Sequence, residues 1–352
     1  MKLEDHLIFV DTFAKINSVM NDFKGKEIRL AYSGGSDSDT CAWLLRYLGY
    51  NVKFVFYDTG LEYDATRRQL EYMKAQGFDI DVVRPKRTIP NTIYHYGTPF
   101  INKNVSDNLE RLQKNNFDFK NDGRLEFDDV VKKYPNTKSA LRWWTNCNFT
   151  ESNNISWNRG LKEFLIENNG LPFSASSHCC YNTKKLPSKK YAKENNVQLM
   201  ILGIRLAEGG KRSTAYSSCY IKDSKTYPYS IFMPLFWWTN EDKKLFDGIT
   251  GIKHSDCYGV YGMNRTGCPG CPFGREFENE IIAISNHEPK LEKAVKHLFG
   301  ESYDFTRKYR DFKERNKMPG YYSDDEVEKR KLKGISFKDN PVYLEFLKNQ
   351  KG

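Results

Sequence analysis

What this 352-residue sequence lacks narrows its class before any motif is read. No stretch stays apolar for the length a membrane helix requires, which argues against a membrane partner. The opening residues, Met1-Lys2-Leu3-Glu4-Asp5-His6, contain no basic region followed by an apolar core, so no secretory leader is visible and a cytoplasmic setting is expected. No glycine-rich stretch ends in Gly-Lys-Ser/Thr, which excludes the common nucleotide loop. No internal repeat is evident, and no cysteine follows Cys271. What remains, 39% hydrophobic and 28% charged residues, reads as a globular chain of one large or two modest domains. In a reducing compartment its eight cysteines point to ligands or catalysts before disulfides.

The formal net charge is +10 and is unevenly spread. Between Thr183 and Lys225 ten Lys/Arg stand against three acids, so most of the excess lies in one short stretch. A solvated basic face and a surface for an anionic partner, nucleotide or nucleic acid, explain this equally well.

Element order is read from apolar periodicity. His6 to Phe23 predicts an amphipathic helix with Leu7, Val10, Phe13, Ile16 and Met20 near helical spacing. Strands are expected at Glu27–Tyr32, Asn51–Tyr57, Asp79–Val83 and Val197–Gly203, with a helix from Tyr63 to Gln76. Strands alternating with helices predict an α/β fold with a mostly parallel sheet and helices on both faces. From Ile101 to about Pro172 the sequence is polar and Asn-rich, and it reads as a partly helical insertion and not as a separate folded domain, with Trp143 and Trp144 in the core.

The stretch Ser33-Gly34-Gly35-Ser36-Asp37-Ser38 follows the first strand and precedes a helix. Glycines let the backbone approach phosphate, and N–H groups at a helix start point toward it. Asp37 is the odd member, since a carboxylate beside phosphate must be neutralised by a cation or by the helix end. A dinucleotide fingerprint is excluded because the required later glycine is missing. The stretch resembles the Ser-Gly-Gly-x-Asp-Ser loop of the ATP pyrophosphatase (PP-loop) superfamily, a Rossmann-like, adenine nucleotide alpha-hydrolase-like group. That resemblance implies ATP binding and cleavage between the α and β phosphates.

Cys179-Cys180 and Cys268-Pro269-Gly270-Cys271 carry the second signal, with Cys219 between them in the basic stretch. Such thiols bind zinc or an iron–sulfur cluster, form a redox pair, or simply pack. Here a wider resemblance enters. Asp58-Thr59-Gly60, Cys179-Cys180 with Lys184 and Pro187, Gly203-Ile204-Arg205 with Glu208 and Arg212, Trp238-Thr239 with Asp242, and Arg265 through Gly274 are similar to segments of the phosphoadenosine phosphosulfate reductase family. Gly209 stands where that family usually has serine.

The resemblance implies a nucleotide site of Ser33, Gly34, Gly35, Ser36, Asp37, Ser38, Asp58, Thr59, Gly60, Gly203 and Arg205. Asp37, Lys184, Arg205 and Arg212 would serve catalysis, Asp37 by placing Mg²⁺. It implies a 4Fe-4S cluster on Cys180, Cys268, Cys271 and Cys219, with Cys179 as the alternative to Cys219 and zinc as the alternative metal. The expected division is an N-terminal helix over 1–24, a nucleotide-binding and cluster domain over 25–274 and a helical extension over 275–352. Reductases of this family use a late cysteine that has no counterpart after Cys271, and their loops are altered where Ser33–Ser38 retains the full form. Both departures lead to the expectation of an ATP-using sulfurtransferase that adenylates tRNA or DNA and draws sulfur from a cysteine desulfurase or another donor. The alternatives are a sulfonucleotide reductase working with thioredoxin and a non-catalytic nucleotide- or nucleic-acid-binding protein.

Overall fold

The apolar runs assemble into one six-stranded sheet in the computed structural model, which describes residues 2–208, 216–223, 228–274 and 276–316. The strands are β1 (Glu27–Tyr32), β2 (Lys53–Tyr57), β3 (Ile80–Val83), β4 (Val197–Leu202), β5 (Tyr220–Ile221) and β6 (Ser230–Phe232), in the order β3-β2-β1-β4-β6-β5. All neighbours are parallel except β5 and β6. The expected α/β class with a mostly parallel sheet is therefore observed.

Alternation along the strands explains why helices cover both faces. Leu30, Tyr32, Phe54, Phe56, Leu199 and Ile201 join one apolar cluster. The intervening Ala31, Val55, Tyr57 and Met200 belong to the other. A period of two sends successive side chains to opposite faces, so near-continuous apolar runs are needed when both are covered. The first face is covered by α1 (Leu7–Asp22), α2 (Ser36–Tyr47) and α3 (Asp64–Ala75), and the second by the helix Leu186–Glu194. The buried side of α1 is Phe9, Thr12, Ile16 and Met20, while Leu7 is 87% exposed. The expected stripe that included Leu7 and Val10 is thus corrected. Phe9 packs edge-on against Trp238, with ring centroids 5.0 Å apart, and against Phe246 at 5.8 Å.

The chain divides into two compact units. Of the described residues, the first contains 2–95, 178–208, 216–223, 228–271 and 276–298, and with them the six strands described. Of the described residues, the second contains 96–177, 272–274 and 299–316. The stretch read as a partly helical insertion contributes Trp143, Trp144, Leu109 and Phe164 to an apolar core that also holds Phe100, and Phe305 and Tyr309 from the helix Pro289–Arg315. Trp143 and Trp144 are buried, as expected, and Trp144 Nε1 donates to the Gly123 carbonyl at 2.9 Å. This core draws its apolar residues from several helices far apart in sequence, among them Val105, Leu109 and Leu112 on one face of Lys103–Lys114 and Phe305 and Phe312 of Pro289–Arg315. Among the described residues no helix is long and apolar enough to cross a membrane.

Candidate nucleotide and thiol site

β1 has β2 on one side and β4 on the other, so the direction of strand order changes between β1 and β4. Open parallel sheets bind ligands beyond the strand ends at such a point. The Ser33–Ser38 loop leaves β1 there, and Gly203-Ile204-Arg205 leaves β4. Asp58-Thr59-Gly60 follows β2 on the same edge.

The loop is braced by its own serines. Ser33 N–H donates to Ser38 Oγ at 3.3 Å, Gly35 N–H to Ser33 Oγ at 3.3 Å, and Ser38 Oγ–H to the Gly35 carbonyl at 2.7 Å. Gly34 has φ +69°, and a Cβ there would lie 2.7 Å from Thr66 Cγ2, so glycine is required twice over. α2 begins at Ser36, which places the amides of its first turn at the end of the loop. The Ser36 amide donates to Tyr258 Oη at 2.8 Å, and that hydroxyl shares a 3.0 Å hydrogen bond with Thr266 Oγ1.

Asp37 turns away from the loop and pairs with Arg205, Nε to Oδ1 at 2.8 Å, with both residues buried. Burial pushes the Asp37 carboxyl upward while the Arg205 charge holds it down, and the net direction is up. Arg205 Nη1 also donates to the Thr239 carbonyl at 3.1 Å and Asn240 Oδ1 at 2.9 Å. The two residues expected to place Mg²⁺ and to contact phosphate are each other's partners. Gly203 makes this possible: a Cβ there would fall 2.7 Å from the Asp37 carbonyl oxygen.

Beneath the first turn of α2 lies a charged network that the sequence did not announce. His254 Nδ1 is 3.0 Å from Asp39 Oδ2 and its Nε2 is 2.9 Å from Asp247 Oδ2. Tyr32 donates to Asp39 at 2.6 Å, Thr40 to Asp247 at 2.8 Å, and Lys243 pairs with Asp247. Burial works against a charged His254, but its bonds to Asp247 and Asp39 prevail and raise its pKa. Burial likewise raises the Asp39 carboxyl, against its bonds to His254 and Tyr32, so a single proton network joins His254 to both acids.

The second turn has Asp58 buried, paired with Arg67 at 3.4 Å and Arg84 at 3.3 Å, and accepting from the Gly60 amide at 3.1 Å. Glu62, absent from the sequence reading, accepts from Thr59 Oγ1 at 2.6 Å and from the Thr59 amide at 3.1 Å. Burial raises its pKa against those bonds and the Lys184 charge.

Cys179 and Cys180 end the short helix His178–Cys180, which continues as a π-helical segment, Tyr181–Lys185, into Leu186–Glu194. Pro187 has no N–H for the carbonyl four residues back, and a wider turn accommodates that loss. The Cys179 thiol is pushed far up by its hydrogen bond with Cys180, by burial, and by the charges of Cys180, Cys271 and Cys268. Lys184 is raised chiefly by the Cys268 charge, to which it also hydrogen-bonds. The C-x-x-C turn is held by Glu280, which accepts from Tyr63 Oη and the Gly270 amide.

Four thiols, Cys179, Cys180, Cys268 and Cys271, thus come together beside one cation. Cys219 lies at the start of β5 against the Met200 and Ile231 cluster. Among the described residues no three His, Cys, Asp or Glu side chains are arranged to hold a metal ion. The donor chemistry of the four thiols nevertheless fits an iron–sulfur cluster or zinc, with Lys184 offsetting thiolate charge. Arg212 and Gly209 lie outside the described residues, as does part of the basic stretch. Tyr258, Thr266, Glu62 and His254 surround the site without having been named from the sequence; of these Thr266 had a signal, lying in the Arg265–Gly274 segment.

Comparison with known proteins adds a family. The profile of the phosphoadenosine phosphosulfate reductase domain matches residues 27–272. Uncharacterized protein MJ0066 of Methanocaldococcus jannaschii is 26% identical over 293 residues, 79% of this chain, and this chain spans only 44% of its length. Among solved structures, phosphoadenylyl-sulfate reductase from Candida auris in its phosphate complex aligns at 10% identity over 73% of this chain and 87% of its own, with a TM-score of 0.41. The U34-tRNA thiolase NcsA from Methanococcus maripaludis with its [4Fe-4S] cluster aligns at 13% identity over 84% of this chain and 79% of its own, with a TM-score of 0.36.

Proposed function

The chain belongs to the phosphoadenosine phosphosulfate reductase domain family, and from that premise we propose that it is an ATP pyrophosphatase that adenylates an acceptor for sulfur transfer. The observation that carries the reading is the complete Ser33–Ser38 loop at the start of α2, on the ligand-binding edge of the sheet.

An acceptor oxygen attacks the α-phosphorus of ATP, the bond to the β-phosphate bridging oxygen breaks, and pyrophosphate departs with its electron pair. Sulfur at the sulfide level, released from a persulfide donor by a thiol reductant, then attacks the adenylated centre; the bond from that centre to the activated oxygen breaks, and AMP departs with that oxygen and the electron pair. The backbone of Gly34 and Gly35 and the first-turn amides of α2 receive the β and γ phosphates. The Asp37–Arg205 pair contributes by cancelling a carboxylate charge that would otherwise repel them. Thr59 and Gly60 border the rest of the nucleotide, and Glu62 orients Thr59. Mg²⁺ accompanies ATP as part of the substrate. Cys179, Cys180, Cys268 and Cys271 would hold a 4Fe-4S cluster, with zinc as the alternative. Such a cluster supplies an iron site able to carry a sulfur atom. The net positive charge suits a tRNA or DNA acceptor, with a cysteine desulfurase or similar donor.

Anaerobically purified protein with Mg²⁺, α-labelled ATP and tRNA or DNA tests this reading. AMP and pyrophosphate formed in an acceptor-dependent way support it; their absence with every acceptor refutes it. The family itself favours one second reading, a sulfonucleotide reductase, which thioredoxin-dependent sulfite release would establish.

A further inference from the structure

The contact of the Ser36 amide with Tyr258 ties the phosphate loop to the cysteine turn. Ser36 opens α2, and its N–H donates to the Tyr258 hydroxyl at 2.8 Å. A hydroxyl oxygen there accepts as a phosphate oxygen would. The same hydroxyl shares a hydrogen bond with Thr266, which stands two residues before Cys268. The contact is close on all sides: a Cβ on Gly35 would lie 3.3 Å from both Tyr258 Oη and Thr266 Oγ1. Tyr258 itself is anchored, since Ser255 Oγ caps its short helix, Asp256–Gly259, by accepting from the Cys257 amide.

We propose that Tyr258 is a positioning residue that competes with the nucleotide's phosphate for the Ser36 amide and, through Thr266, reports phosphate binding to the Cys268–Cys271 turn. The inference rests on the reading of Ser33–Ser38 as the phosphate-binding loop. When a phosphate oxygen takes the Ser36 N–H, the Tyr258 hydroxyl loses a donor and must re-form its bonds. Its link to Thr266 then shifts, and the segment leading to Cys268 is freed. No covalent step is involved. Phe at 258 removes the competing acceptor while leaving the ring in place.

The test is the binding of inorganic pyrophosphate and of ATP by calorimetry to wild type, Tyr258→Phe and Thr266→Val, with amide hydrogen exchange followed over residues 264–272. Exchange of one weak hydrogen bond predicts that Tyr258→Phe binds pyrophosphate about 5-fold more tightly. Pyrophosphate should raise exchange across 264–272 in wild type and leave it unchanged in both variants. Thr266→Val keeps the Ser36 contact and cuts only the link, so it provides the result should Tyr258→Phe fail to fold. Weaker or unchanged binding in Tyr258→Phe overturns this inference alone, as does a wild-type turn whose exchange ignores pyrophosphate. No binding of either ligand to any of the three proteins overturns the loop reading, and this inference with it.

Discussion

Arg205 Nε lies 2.8 Å from Asp37 Oδ1, a buried ion pair that joins the Ser33–Ser38 loop after β1 to the segment after β4. Each residue belongs to a separate motif, and each taken alone suggests a ligand to phosphate or magnesium. Together they form the support of the loop. A buried charge without its partner is costly, so the pair holds two neighbouring strand ends in one arrangement.

Arg205→Ala should therefore lower the unfolding free energy by about 3–5 kcal/mol, because Asp37 is left charged and unpaired. The double variant Arg205→Gln with Asp37→Asn should cost less than the sum of the two single changes. Urea denaturation of the four proteins measures this; additive costs would show that the two side chains do not interact.

Gly203→Ala places a methyl 2.7 Å from the Asp37 carbonyl oxygen and 2.9 Å from Ser38 Cα, both backbone atoms. The loop has to move, at a cost of about 1–3 kcal/mol. Melting temperature and ATP affinity should fall together. A variant with both unchanged would contradict the close approach of β4 to the loop.

The thiols separate by their surroundings. Serine at Cys179, Cys180, Cys268 or Cys271 should reduce iron bound after anaerobic reconstitution, whereas Cys219→Ser should retain it. Iron and sulfide analysis with absorbance spectra decides this. Loss of iron in Cys219→Ser with retention in Cys179→Ser would reverse the assignment to the set expected from family resemblance.

His254 predicts a pH dependence of stability. Its pKa in the folded protein lies above its ordinary 6.5. A raised folded value means stability that is fully present below the unfolded pKa and lost as pH rises through the folded one. Stability by urea denaturation should decline with rising pH above 6.5, and His254→Gln should flatten that decline. An identical slope in both proteins would remove His254 as its source.

Much of the first unit was legible because its strands are apolar runs bounded by turn residues. The loop was legible because glycine and serine at fixed spacing state a backbone requirement. The face of α1 was misread: Leu7 is apolar yet 87% exposed, while Phe9 is buried against Trp238 and Phe246, more than two hundred residues away. In the second unit Trp143 and Trp144 were legible as core, but its full extent was not, because Phe305 and Tyr309, far away in sequence, complete what residues 100–173 begin.

By itself the sequence determined the α/β class, the glycine–serine loop Ser33–Ser38 between β1 and α2, and the presence of two cysteine pairs. Each of these is set by local spacing, which acts within one strand, turn or helix. Only the tertiary structure decided that Asp37 belongs to Arg205, that Cys179 joins Cys180, Cys268 and Cys271, and that the Ser36 amide meets Tyr258. Those pairings join residues from distant parts of the chain, and the burial of charge and the reach of a hydrogen bond select them only once the sheet has brought its strand ends together.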